Sequence, residues 1–265
     1  MALLSRIVET YDFYRGTRHW RVTGGQRPVV LEAQTYSVLR GLQRKRIADS
    51  IEEGRNALEI TVPGTFDLLD QFRPFPPMAR VHVNFKRVRV SDGAVESAWM
   101  GVVATVDDAD PSWSTIRCQS LASAMASGRG GVWQVPCWKA LYSTHPLYGC
   151  NVATDDFRED GTLAEVAGVS ISSAALGLHG DGWFDGGVVT WLDASGDRDY
   201  CAIITQVGSV ATLLTPTRLP VGSAVTFLPG CDHSLPMCAD KFNNEINYGG
   251  VHTMPDKNAF GEAVF

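Results

Sequence analysis

The stretch Pro229-Gly230-Cys231-Asp232-His233-Ser234-Leu235-Pro236-Met237-Cys238-Ala239-Asp240-Lys241-Phe242-Asn243-Asn244, running on into Asn247-Tyr248-Gly249-Gly250, decides how the rear half of this chain is read. Cys231 and Cys238 stand where an extended run, Ala224 to Leu228, stops and a short helix is expected to start. Ser234 suits the N-cap, because its hydroxyl can accept an orphan backbone N–H, and Pro236 suits the first turn, where an N–H would go unpaired anyway. Cys231 then falls in the turn ahead of the helix, and Cys238 about one turn inside it. The two sulfurs can converge near the helix start, where free N–H groups and the positive dipole end are expected to favour thiolate over thiol. Such a place suits a metal or an anionic sulfur cluster.

A second pair lies upstream: Cys137 in Pro136-Cys137-Trp138-Lys139, and Cys150 in Leu147-Tyr148-Gly149-Cys150-Asn151-Val152. Twelve residues separate the upstream cysteines and six the downstream ones, so neither pair forms the short knuckle of a zinc ribbon. Four thiolates drawn from two distant loops suit an iron–sulfur cluster or an unusual structural zinc. The competing reading makes them small buried hydrophobes, since free cysteine is among the most buried residue types. The pairs lie about eighty residues apart. Closing so long a loop costs a few kcal/mol of chain entropy, and a four-thiolate centre would pin both ends as a structural metal does. Trp138, Tyr142, Tyr148, Phe242 and Tyr248 lie beside the cysteines, either as a shield from water or as ordinary core aromatics. The amides of Asn243, Asn244 and Asn247 are expected to bond loop backbone.

The run from Pro229 to Gly250, with Leu147-Tyr148-Gly149-Cys150-Asn151-Val152 upstream, resembles the phage tail hub family, which includes tail tip proteins of lambda-like phages and hub proteins of gene transfer agents. The likeness covers the C-terminal half, and the N-terminal half only loosely. The resemblance implies that Cys137, Cys150, Cys231 and Cys238 ligate an iron–sulfur cluster of the four-iron, four-sulfur type, with zinc as the alternative. It implies a hub-type β-barrel at the front and a structural role in the virion, at the tail tip or baseplate hub, joining tail tube to fibres and closing the channel. The implied partners are the distal tail ring and central fibre or tip proteins, in a homotrimer through whose lumen DNA passes without specific binding. Assembly in the host cytoplasm is implied as well.

Composition is compatible with this. The chain has 265 residues and 28.8 kDa, enough for one large domain or two modest ones. A formal charge of −6 argues against a dedicated nucleic-acid binder, which normally shows a basic face. A neutral or acidic wall would let phosphate slip past. Six cysteines over this length are too few for a small disulfide scaffold. The start, Met1-Ala2-Leu3-Leu4-Ser5-Arg6-Ile7, lacks the apolar core of a signal peptide, and no run reaches membrane-spanning length. Folding in the cytoplasm, with reduced thiols and no membrane insertion, is the expectation.

The front half reads as β. Tyr11–Tyr14 and His19–Val22 flank Arg15-Gly16-Thr17-Arg18 as a hairpin, and Val29 to Tyr36 and Ala57 to Val62 are further strands. Phe66 to Phe72 has helical spacing. Val81, Val83 and Phe85 alternate, then the phase slips to Val88 and Val90, the signature of a bulge. Glu96 to Asp107 and Trp113 to Leu121 complete a barrel or sandwich. Arg40 to Arg46 is a basic run followed by Asp49, Glu52 and Glu53, and reads as a self-neutralising surface. The Gly-rich run Ala124 to Gly131 is the expected boundary between a barrel domain, 1–126, and a C-terminal cysteine domain, 132–265. In the latter, Val188–Leu192, Tyr200–Thr205, Val210–Leu214 and Ala224–Leu228 read as strands of a small antiparallel β domain. Cys118 and Cys201 fall inside strands and read as core. The fold expected is therefore mainly β.

Catalysis finds little support in the sequence. Cys231 and His233 are too close in the chain to face each other, and nothing aims His145, His179 or His252 at a nucleophile. Asp155, Asp156, Asp181 and Asp185 sit in turn-like runs where aspartate is expected. The expectation is a non-enzymatic building block; the alternative is a cytoplasmic metal-binding or redox enzyme using the same four cysteines.

Overall fold

The computed structural model describes residues 7–46, 57–121 and 133–254. The expected boundary at Ala124 to Gly131, the first six residues, and Asp49, Glu52 and Glu53 lie outside them. The chain divides into two units, Met1–Gly128 with Leu192–Asp199, and Arg129–Trp191 with Tyr200–Phe265.

The first unit is built on β1 (Ile7–Arg15), β2 (Arg18–Thr23), β3 (Val29–Leu31), β4 (Gln34–Val38), β5 (Gln43–Arg44), β6 (Leu58–Pro63), β7 (His82–Arg89), β8 (Val95–Asp107) and β9 (Trp113–Ser120). They form one sheet in the order β3-β4-β2-β1-β7-β8-β9-β6-β5. Period-two burial follows from the pleat: Leu58, Ile60 and Val62 point inward from β6, as do Tyr11 and Phe13 from β1. Tyr11 stacks on Phe85 with ring centroids 5.0 Å apart. β4 and β5 are two pieces of one run of chain, yet one pairs with β2 and the other with β6 near the opposite end of the order. The sheet must curl for this to happen. Arg44 of β5 also forms an ion pair with Glu9 of β1.

Two details refine the sequence reading. The expected phase slip is present: the pairing of β7 with β8 shifts between Phe85 and Lys86. The stretch Val29 to Tyr36, read as one strand, is instead a hairpin of β3 and β4. Its turn residues Glu32 and Ala33 both have positive φ, 50° and 62°, the geometry a two-residue hairpin turn demands and one that Glu-Ala does not advertise. Phe66 to Phe72 forms a 3-10 turn over Asp67–Gln71 that buries Leu68 and Leu69.

The second unit's sheet is formed by β10 (Glu159–Thr162), β11 (Glu165–Ala167), β12 (Ser170–Ser172), β13 (Val188–Leu192), β14 (Arg198–Val207), β15 (Val210–Leu213) and β16 (Ala224–Leu228), in the order β10-β16-β13-β14-β15-β12-β11. β10 and β11 are separated only by Leu163 and Ala164, yet β10 pairs with β16 and β11 with β12. The backbone of this corner stays bonded: Leu163 N–H donates to Ser223 O and Ala164 N–H to Ser172 O. A single bent run thus serves both ends of the strand order, and this sheet curls too. Phe184 and Phe227 meet edge to face at 6.0 Å in its core, beside Ile171, Val189 and Ile203.

Cys118 and Cys201 are buried in the first and second cores respectively. Among the described residues, no helix is long and apolar enough to cross a membrane. The molecule is mainly β, with one short α-helix, α1 (Leu235–Asp240), among the described residues.

Candidate cysteine site

All four sulfurs singled out in the sequence lie in the second unit. Cys137 and Cys150 sit in a loop region without strands, and Cys231 follows β16 through Pro229 and Gly230. The path into Cys231 is fixed by backbone packing. A Cβ on Gly230 would fall 2.1 Å from Asp185 O and 2.4 Å from Gly187 N, so only glycine lets the chain pass the 185–187 turn. Gly149 does the same for Cys150, since its Cβ would lie 2.5 Å from both the N and the O of His145.

Ser234 caps α1 as its sequence predicts: its side chain accepts the N–H of Met237 at 3.2 Å, with proline in the first turn. Cys238 lies within the helix and is buried. Near the cysteines, Tyr142, Asn151, His233 and Asn243 all adopt positive φ without being glycine. That conformation is uncommon. His233 N–H also donates to Cys231 Sγ at 3.3 Å.

The upstream and downstream segments are laced together. Cys137 N–H donates to His233 O at 2.8 Å, and Gly249 N–H donates to Cys137 Sγ at 3.2 Å. Tyr142 donates its hydroxyl to Pro229 O at 2.8 Å, and Tyr248 donates to Val135 O at 2.8 Å. Asn244 donates its amide to Cys150 O at 2.7 Å and lies 3.5 Å from Cys150 Sγ. Lys241 Nζ donates to Gly230 O at 2.9 Å and sits 4.7 Å over the ring of Trp183.

Cys137, Cys150, Cys231 and Cys238 line one cavity, walled also by Val152 and Phe242. All four are free thiols. Among the described residues, no three His, Cys, Asp or Glu side chains are arranged to hold a single metal ion.

One expectation is overturned. The helix start was expected to favour thiolate, but burial pushes the Cys238 thiol up to about 11, with Cys150, Cys231 and Cys137 adding to the rise. Cys231 is raised as well, by burial first, with the His233 N–H pulling the other way and Asp232, Cys150 and Cys137 pushing upward. A helix of six residues carries too little aligned dipole to offset that loss of solvent. Burial thus disfavours the charged form of Cys231 and Cys238.

The other candidates fall elsewhere. Phe242 lines the cavity, whereas Tyr148 is exposed and packs on Trp138 and His145 outside it. Asp181 and Asp185 each spend an oxygen on turn backbone, accepting from Gly208 N at 2.7 Å and Gln206 N at 2.6 Å. Asp155 pairs with Arg158, and Asp156 lies with it in the short 3-10 turn Thr154–Asp156. His179 bonds Glu159 at 2.9 Å and stacks on Trp183, and His145 Nδ1 accepts the N–H groups of Leu147 and Tyr148. The sequence reading missed the contacts of Asn244 and Gly249 with sulfur. Only the presence of both residues in the Asn-Asn…Tyr-Gly-Gly run hinted at them.

Comparison with known proteins adds three findings. A family described as "Phage conserved hypothetical protein BR0599" matches residues 182–258, which include Cys231 and Cys238. An uncharacterized protein of Xylella fastidiosa (strain 9a5c) is 27% identical over 173 residues, 61% of this chain and 36% of the relative. The chain thus spans about a third of the length of the curated relative it matches. Among solved structures, a chain from the virion of a native gene transfer agent particle shares the fold, with a TM-score of 0.74 at 17% identity over 96% of this chain and 90% of that one.

Proposed function

We propose that the chain is a structural virion protein, a tail tip or baseplate hub, in which Cys137, Cys150, Cys231 and Cys238 hold an iron–sulfur cluster. The observation that carries the cluster is the shared cavity: four thiols from segments about eighty residues apart line it. Three of the four sulfurs face an N–H donor, from Gly249, Asn244 or His233. Such donors are what thiolate ligands of a cluster use to settle their charge. A cluster bonds its four cysteines to separate irons, whereas one zinc ion needs all of them about 2.3 Å from one centre. Bound there, the cluster would neutralise the crowded thiolates and staple the loops of the second unit.

The shared fold with a gene transfer agent virion chain and the phage family match support the virion reading. On this reading the first unit is a hub-type barrel, the chain assembles as a trimer beneath the tail tube, and its neighbours are distal tail ring and central fibre or tip proteins. Two measurements test it. Protein purified without oxygen should be brown and contain iron and acid-labile sulfide, both lost in Cys231→Ser and Cys238→Ser; colourless protein carrying zinc, or no metal, would sink the cluster. Particles from the producing cell should contain the chain at their tails; particles complete without it would sink the virion role.

A further inference from the structure

Asn244 is buried, at 8% exposure, yet every polar atom it owns is engaged, chiefly with two cysteines from opposite pairs. Its amide nitrogen donates to Cys150 O at 2.7 Å and approaches Cys150 Sγ at 3.5 Å, across 94 positions of sequence. Its backbone N–H donates to Cys238 O at 3.0 Å, and its backbone carbonyl accepts the Cys238 thiol at 3.3 Å. The same carbonyl accepts Asn247 N–H at 3.0 Å.

The orientation of the amide is fixed by its partner at Cys150. Asn247 Nδ2 donates to Asn244 Oδ1 at 2.7 Å. Cys150 O can only accept, so the group facing it must be the NH2. A flipped amide would set oxygen against oxygen at Cys150. Burial makes that mismatch costly.

We infer that Asn244 is the positioning residue of the cysteine site: it clamps the Cys150 loop to the Cys238 helix and presents an N–H to the Cys150 sulfur. The inference deepens the cluster reading and rests on it for its electronic part, while the clamp stands on the metal-free geometry. N–H donors to cluster sulfurs stabilise the more negative, reduced state and so raise the reduction potential. Replacing this donor should lower it.

The test uses the full chain with Asn244→Ala, with Asn244→Asp, which keeps the shape but turns an acceptor toward Cys150, and with the gentler Asn247→Ala, which frees Oδ1 of Asn244. In metal-free protein, hydrogen exchange over residues 143–152 should quicken about fivefold or more in Asn244→Ala, the worth of one hydrogen bond, while β13 to β15 exchange as before. Asn247→Ala should move the same segment in the same direction by less. In iron-loaded protein the midpoint potential should fall in Asn244→Ala and further in Asn244→Asp. Unchanged exchange over 143–152 in the folded variants overturns the clamp, whether or not the wild-type chain binds iron. An unchanged potential in a variant that keeps its cluster overturns the donor role. If the wild-type chain takes up no iron, the cluster reading fails, and the exchange result alone decides for or against Asn244.

Discussion

The backbone N–H of Gly249 donates to the sulfur of Cys137 over 3.2 Å, although 112 positions separate them in sequence. The last described stretch of the chain thus returns to the first cysteine of the second unit. If the cluster is present, its loss removes the stronger of the two ties between these segments and leaves only hydrogen bonds such as this one. Stripping iron with a chelator under an oxidant should then destabilise the second unit by about 4 kcal/mol, the loop-closure value for a span of this length. Urea unfolding before and after removal measures it, and an unchanged midpoint would argue that no tie was lost.

Gly230→Ala should be the most damaging small substitution near the site. Its Cβ would meet the backbone of the 185–187 turn at 2.1 Å, where no side chain can swing away. A loss of about 2–4 kcal/mol is expected. Gly180→Ala is the control, since nothing lies within 4 Å of its Cβ, and it should unfold at the wild-type denaturant midpoint.

Ser234→Ala removes the side-chain acceptor for Met237 N–H. The cost should be about 1 kcal/mol, restored by Ser234→Asp, which offers an equivalent acceptor. Equal midpoints for the alanine and wild-type proteins would show that the cap is idle.

Alkali should act on the first unit through Cys118. Burial pushes its thiol up to about 12, so the folded state holds the proton that the unfolded chain releases near pH 8.5. The stability this confers is complete below that pH and is lost as pH climbs toward 12. Denaturant titrations of the wild type between pH 8 and pH 11 should therefore fall more steeply than those of Cys118→Val. Parallel slopes would refute the burial effect.

The strands were legible wherever burial alternates. Leu58, Ile60 and Val62 gave away β6, and the slip between Phe85 and Val88 betrayed a bulge that the pairing at Phe85 and Lys86 contains. The β3–β4 hairpin was not legible, because Glu32 and Ala33 take left-handed conformations without the glycine or asparagine that usually signals them. Nor were β10 to β12, whose three or four residues each are too short for a period to declare itself. At the site, the N-cap of Ser234 followed from local rules, whereas the raised Cys238 thiol did not. Burial is a property of the whole fold, and it outweighs the few peptide dipoles that the local sequence could announce.

The bent run from Glu159 to Ala167 puts two short strands, β10 and β11, at the two ends of the second unit's strand order. Another polypeptide therefore has no long ladder of bare amides and carbonyls on which to lay an extra strand. A neighbouring chain would meet side chains and loop tips instead, of which Leu147, Tyr148 and Ile246 stand exposed. Copies of this unit brought close together would therefore have little edge along which to fuse strand to strand.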